Sequence, residues 1–159
     1  MQSINPNPTV TLTQKHQTPN PYEAKFGYSR AIRKGPLIFV SGTTSILPAT
    51  GKVACPDSAY EQTRVIFEEI FRAVKALGGR GSDVVRVRMF VTRDQDTGDV
   101  GRGMKEAFAG LLLEGDGVLT QAGVGGVKEV AEPAATMIVG ARFVDPDMKV
   151  EIEADAVVL

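Results

Sequence analysis

The pattern of apolar and polar positions predicts five strands along this chain. Residues 36–41 form a β-branched and aromatic run that ends at Gly42, and residues 27–33 pair with it as a hairpin across Lys34-Gly35. From Asp83 to Thr92 the residues alternate, which places neighbouring side chains on opposite faces of a strand. One face carries Val85, Val87, Met89 and Val91, and the other carries Arg86, Arg88 and Phe90. The two last strands are predicted at about 134–144 and 149–158.

Apolar residues at helical spacing predict two helices between these strands. The first begins at Ser58-Ala59-Tyr60-Glu61, a capping-box pattern, and ends before Gly78 and Gly79. The second is marked by Val100, Met104, Ala107, Phe108 and Leu111. The order β-β-α-β-α-β-β predicts an α+β fold in which two helices cover one face of a mixed sheet.

The other face of this sheet is predicted to carry Phe39, Phe90 and Met137 among polar groups. Two helices cannot cover both faces, so we expect this face to be buried against another subunit. Residues 1–24 are rich in proline and polar residues, and we expect an extended N-terminal arm there. Residues 25–159 then form a single domain.

Composition excludes several classes of protein. A net charge of −1 argues against binding to nucleic acid, whose partners usually carry a basic excess. The single cysteine, Cys55, excludes an internal disulfide, and with the single histidine, His16, it excludes a Cys/His zinc site. No apolar run is long enough for a membrane span, and the N-terminus does not resemble a secretory signal. We therefore expect a cytoplasmic protein.

Four short motifs resemble those of the Rid family, the reactive-intermediate deaminases also called YjgF-type proteins. The motifs are Tyr28-Ser29, Ser41-Gly42, the run from Pro133 to Met137, and the run from Glu151 to Ala156. The resemblance extends over residues 25–113 and 133–158. It implies a chorismate mutase-like sandwich that forms a homotrimer, with a cleft between each pair of adjacent subunits.

The resemblance also implies the residues of a site. In the deaminases of this family, a tyrosine, a serine and an arginine line the cleft, and a glutamate positions the water that hydrolyses an enamine or imine. These positions correspond here to Tyr28, Ser41, Ala135 and Glu151. No metal or organic cofactor is implied. From local sequence alone, an interface aromatic is the favoured explanation of Tyr28, and a solvated acidic edge that of Glu151. A strand-end role explains Ser41 equally well.

The alanine at position 135 removes the residue that would grip a substrate carboxylate, so we expect a poor deaminase of 2-imino acids. Arg88 is the candidate replacement, because alternation places it beside Phe90 on the face toward the trimer. Ala135 and Met137 would lie in the same cleft. The structural alternative for Arg88 is a salt bridge to Glu153 or Asp155 of a neighbouring subunit.

The connection over residues 114–132 is longer than is usual in the family, and we expect it to cover or narrow the cleft. The function favoured by these observations is binding of a small enamine, imine or carbonyl-type metabolite, with hydrolysis or proton transfer by Glu151. A non-catalytic ligand-binding or chaperone-like module is the first alternative. An endoribonuclease or translation inhibitor is the second, and the near-neutral charge argues against it.

Overall fold

The computed structural model of the chain describes residues 12–119 and 128–159. Its strands are β1 Thr13–His16, β2 Ala31–Lys34, β3 Leu37–Thr43, β4 Val84–Val91, β5 Val118–Leu119, β6 Lys128–Glu129, β7 Ala134–Val139 and β8 Val150–Val157. Its α-helices are α1 Pro21–Phe26, α2 Ala59–Ala76 and α3 Thr97–Leu113. Six strands form one mixed sheet in the order β1-β2-β3-β8-β4-β7, and β5 pairs with β6 in a separate ribbon. Only the β4–β7 pairing within the six-stranded sheet is parallel.

Helices α2 and α3 pack on one face of the sheet and form the core with it. The Ser58 hydroxyl accepts a hydrogen bond from the Glu61 N–H at 3.1 Å, as the capping pattern predicts. Phe67 of α2 meets Phe108 of α3 edge to face, with ring centroids 5.4 Å apart. The strands contribute fully buried side chains such as Val87 and Ile152. This is the α+β arrangement that the alternation of strands and helices predicts, and the predicted fold class is confirmed.

The start of β4 departs from the predicted alternation. The sequence places Val85 with Val87 on the buried face, but Val85 is 47% exposed and Val84 is buried instead. The pairing of β4 with β8 shifts register between Val84 and Arg86. A bulge adds one residue to one strand and reverses the side on which the preceding residues lie. The prediction for Val85 was therefore wrong, while those for Arg86 onward hold.

The N-terminal segment also differs from the expected arm. Within the described part, residues 13–16 form β1, an edge strand antiparallel to β2, and residues 21–26 form α1. Asn20 caps α1 by accepting from the Tyr22 N–H, and Gly27 ends the helix with a left-handed φ of 73°. Residues 12–24 thus belong to the sheet and to a short helix, because a cap and a terminating glycine outweigh the prolines here.

The described ends of the 114–132 connection lie beside α3. Gly115, with a φ of 83°, follows the end of the helix. Ala131 is buried in the core. Residues 120–127, which would form the predicted cover of the cleft, lie outside the described residues. Of the helices that the structure describes, none combines the length and the apolar character needed to cross a membrane.

Candidate functional site

A cavity of about 220 Å³ brings together two of the residues predicted for the site, Tyr28 and Glu151. It lies where α1, the end of β3, the β7–β8 loop and the start of β8 meet. Its walls include the aromatic residues Tyr22, Phe26 and Phe143 and the arginines Arg30 and Arg142. Mostly apolar walls with a few convergent polar groups are typical of small-molecule sites.

Glu151 is the carboxyl group of this cavity. It lies on β8, opposite Phe90 of β4, on the face of the sheet that the helices leave uncovered. Partial burial raises the pKa of the Glu151 carboxyl above the ordinary value, the charge of Glu153 raises it further, and Arg30 opposes the shift. The protonated form of Glu151 therefore persists to higher pH than that of a solvated glutamate.

Gly42 makes room for this carboxyl group. A Cβ added to residue 42 would lie 1.9 Å from Oε1 of Glu151, well inside any allowed contact. Only a residue without a side chain lets the Glu151 carboxyl rest against β3. The Ser41-Gly42 motif of the sequence is thus explained by its glycine, which shapes the cavity.

Tyr28 is held by a buried arginine that the sequence analysis did not single out. Arg30 is 2% exposed, and its Nη2 donates to the Tyr28 hydroxyl at 3.4 Å. Its other donors bind the Glu23 carboxylate at 3.1 Å and the Gly42 carbonyl and Thr43 hydroxyl at 2.9 Å each. Arg30 therefore joins α1, β3 and Tyr28 in one network. The only sequence feature that could have pointed to Arg30 is its position next to the Tyr28-Ser29 motif. A single arginine before a strand belongs to no periodic pattern, so its burial cannot be predicted from the sequence.

Ser41 lies outside this cavity. Its hydroxyl donates to the Ser29 carbonyl at 2.8 Å, which matches the strand-end role that local sequence offered as the alternative. The Ser41 side of the sheet forms a second depression with Phe39, Glu153 and Asp155, and Tyr28 borders both. Tyr28 therefore separates the two predicted polar residues Ser41 and Glu151.

Arg88 lies on the uncovered face, as alternation predicts, but its guanidinium is already held in ion pairs. Its guanidinium binds Glu153 at 3.3 Å and Asp155 at 3.2 Å within the same chain. The sequence alternative expected these carboxylates from a neighbouring subunit. Arg88 does not line the cavity that contains Glu151. The two residues share a face without sharing a pocket in the single chain.

The parallel pairing of β4 and β7 places Ala135 and Met137 on the other side of the sheet. Ala135 pairs with Val87 and Met137 with Met89, both of which are buried under the helices. Paired residues of adjacent strands point to the same face. The prediction that Met137 lies on the uncovered face is therefore wrong, and Ala135 also lies on the helix side of this edge strand. Thr136 and Ile138 take the uncovered face instead.

Comparison with known proteins identifies the family. The family model described as endoribonuclease L-PSP matches residues 18–158. The chain belongs to this family. The resemblance to Rid or YjgF-type proteins that the motifs predict is thereby confirmed.

Relatives of this L-PSP family protein support the same conclusion. A solved structure of a YjgF/YER057c/UK114 family member from Mycobacterium tuberculosis is 29% identical, with a TM-score of 0.69 over 92% of this chain and all of that one. The YjgF gene product of E. coli is 25% identical, also at a TM-score of 0.69, over 91% of this chain and 98% of that one. An uncharacterized protein of Streptomyces coelicolor is 27% identical over 93% of this chain and 94% of its own length.

Proposed function

We propose that this L-PSP family protein binds a small enamine, imine or carbonyl-type metabolite in the Glu151 cavity and that Glu151 performs proton transfer or positions a hydrolytic water. The observation that carries the proposal is the Glu151 carboxyl group, partly desolvated against Gly42 in a cavity bordered by a restrained tyrosine. A raised pKa brings both protonation states of a carboxyl closer to neutral pH. The protonated form donates to an imine nitrogen or carbonyl oxygen, and the ionised form accepts a proton from water.

Tyr28 would orient the ligand. Its hydroxyl accepts from Arg30, so its own proton is free to be donated to a ligand atom. Arg30 would act through Tyr28 as a positioning residue, because its guanidinium is buried and engaged with protein groups.

The absence of an arginine at position 135 supports a substrate other than a small 2-imino acid. An Arg–carboxylate pair is charge-assisted and bidentate, and the methyl group of Ala135 cannot replace it. We propose that the protein deaminates 2-aminoacrylate-type imines poorly.

The homotrimer is part of the proposal. Leu37, Phe39 and Ile138 lie on the uncovered face and are 42%, 42% and 49% exposed. Arg88 with its two carboxylates and Phe90 lie among them. An apolar face with internally paired charges is suited to burial against further copies of the chain. Light scattering at micromolar concentration should give three times the mass of the chain, and a stable monomer would contradict this.

The test of catalysis is Glu151→Gln assayed against a panel of imines and ketones. The variant keeps the shape of the side chain and removes its proton-accepting capacity, so turnover should fall at least about 100-fold. Glu68→Gln is the matched control, because it is the same change at an exposed position of α2 that does not line the cavity. Equal activity in Glu151→Gln and wild type would reject the proposal.

The sequence leaves two other functions to be tested beside this one. Binding without turnover fits the same cavity, and it predicts ligand binding with no product formed by the wild-type protein. Ribonuclease activity is favoured by the name of the family alone. The single histidine, His16, is on edge strand β1 and does not line the Glu151 cavity. Incubation with single-stranded RNA distinguishes this activity from the other two.

A further inference from the structure

Two arginines line the Glu151 cavity, and they differ in how many protein groups their guanidinium groups bind. The guanidinium of Arg30 is buried and donates to protein groups from all three of its nitrogens. Arg142, in the loop between β7 and β8, is exposed. In residues 12–119 and 128–159, its guanidinium forms no ion pair and no hydrogen bond. Arg142 is therefore the cation of this cavity that is free to bind a ligand.

The loop that carries Arg142 is anchored at both ends. At its start, the Gly140 N–H donates to the Val91 carbonyl at 2.9 Å. At its end, the buried side chain of Gln62 accepts from the Lys149 N–H at 2.9 Å. A loop fixed at both ends presents its side chains with a smaller entropic cost on binding.

Arg142 and Glu151 line one cavity without forming a pair. Both residues line the cavity, and no ion pair joins them within residues 12–119 and 128–159. A cation and a carboxyl group that share a cavity but remain apart leave room for a ligand between them. Such a ligand would present an anionic group to Arg142 and its reacting carbon to Glu151.

Part of the cavity wall is aromatic. Tyr22 and Phe26 of α1 stack with ring planes 2° apart and centroids separated by 6.0 Å. Phe26 is 62% exposed although it lines the cavity, and Phe143 follows Arg142 on the opposite loop. Exposed aromatic faces beside a free guanidinium are suited to an anion with a planar, apolar body.

We infer that Arg142 binds the anionic group of the ligand, and that the ligand class is a carbonyl or imine compound whose carboxylate is separated from the reacting carbon by a planar apolar body. This inference rests on the proposed use of the Glu151 cavity. It also accounts for the alanine at position 135, because a carboxylate held at Arg142 needs no partner on β7. Arg88, which already binds two carboxylates, is not required either.

Three probes test the inference by calorimetry and NMR titration of the full chain. They are 4-acetylbenzoate, its uncharged counterpart 4-acetylbenzamide, and pyruvate, in which the carboxylate adjoins the ketone. We expect 4-acetylbenzoate to bind about tenfold more tightly than the amide, as a charge-assisted hydrogen bond gives. We expect pyruvate to bind more weakly than 4-acetylbenzoate, because it cannot reach both groups.

Arg142→Gln should reduce the affinity for 4-acetylbenzoate to that for the amide and leave the amide unchanged. Arg142→Lys should retain part of the preference. Arg64→Gln, the same change on α2, is the matched control and should leave every affinity unchanged. Equal losses for acid and amide in Arg142→Gln, or loss of the preference in Arg88→Gln instead, would overturn the inference.

The failure of the proposed function has a different signature. If 4-acetylbenzamide shifts the resonances of Tyr28 and Gly42 but the acid shows no preference, only the assignment of Arg142 is wrong. If none of the three probes shifts these resonances, the cavity does not take carbonyl ligands and both proposals fail.

Discussion

Two charged regions on the uncovered side of the sheet differ in how their charges are compensated. In the central region, Arg88 binds Glu153 and Asp155, and all three side chains remain partly exposed. In the cavity region, neither Glu151 nor Arg142 has an ion-pair partner among the described residues, and the pKa of Glu151 is raised. Charges that satisfy one another are available for structure alone. Charges left uncompensated in a cavity are available to a ligand, which is why we assign function to the second region.

The cavity region also rests on a buried pair, and this gives the largest expected difference. Arg30 and Glu23 are each about 2% exposed, whereas the side chain of Arg88 is 35% exposed. Arg30→Met would leave the Glu23 carboxylate buried without its cation, so we expect a loss of about 3–5 kcal/mol in unfolding free energy. Arg88→Met is the matched change at a guanidinium that stays partly exposed within its own chain, and we expect it to cost less than Arg30→Met.

Urea denaturation of both variants at one protomer concentration measures this difference, since assembly makes stability depend on concentration. Similar costs for Arg30→Met and Arg88→Met would show that burial does not distinguish the two regions.

Gly42→Ala should remove the difference between the two regions, because it displaces the Glu151 carboxyl group from the cavity. The added Cβ occupies the position of Oε1, so the carboxyl group must turn toward solvent. We expect the pKa of Glu151 to fall toward the ordinary value, which a carboxyl ¹³C titration follows, and turnover to fall by about 100-fold if catalysis occurs. Gly101→Ala in α3 is the control, because a Cβ there meets nothing within 4 Å. An unchanged Glu151 titration in Gly42→Ala would contradict the described geometry.

The smallest expected effect is on thermal stability. Because the folded-state pKa of Glu151 is raised, the folded protein holds this proton more tightly than the unfolded chain does. Stability is therefore lost as the pH rises from the ordinary pKa of a glutamate through the raised one. Glu151→Gln removes this loss, so its Tm should exceed that of wild type by about 1–3 °C at pH 7 and show no gain at pH 4.

Glu68→Gln is the control for this prediction. It makes the same change at an exposed position of α2 outside the cavity, so no gain in Tm at pH 7 is expected. Calorimetry at the two pH values checks both variants. A gain for Glu151→Gln that is the same at pH 4 and pH 7 would show that the effect does not come from its charge.

The elements of the fold were predictable because they depend on local periodicity. Ser58 caps α2 as its sequence pattern predicts. The apolar residues of α2 and α3 lie where a 3.6-residue period places them. Alternation gave the side of every residue from Arg86 to Val91. It failed at Val85, because a bulge is a property of the pairing between β4 and β8 and leaves no mark on β4 alone.

The site was predictable only in part. Sequence motifs named Tyr28 and Glu151, and the structure brings them to one cavity. They did not indicate Arg30 or Arg142. Whether a guanidinium has hydrogen-bond and ion-pair partners depends on residues that are distant in sequence. The face on which Met137 lies was also beyond sequence reasoning, because it depends on the register of β7 against β4.

The sequence by itself determined the order of the five central strands and two long helices, the family, and the loss of an arginine at position 135, because each is written in local pattern or residue identity. Only the tertiary structure decided which charges compensate one another. The distance of Arg88 from two carboxylates of β8, and the contact of Glu151 with Gly42, arise from register between strands far apart in the chain. Desolvation and pairing, which set a carboxyl's pKa and an arginine's availability, are properties of that arrangement and not of any segment.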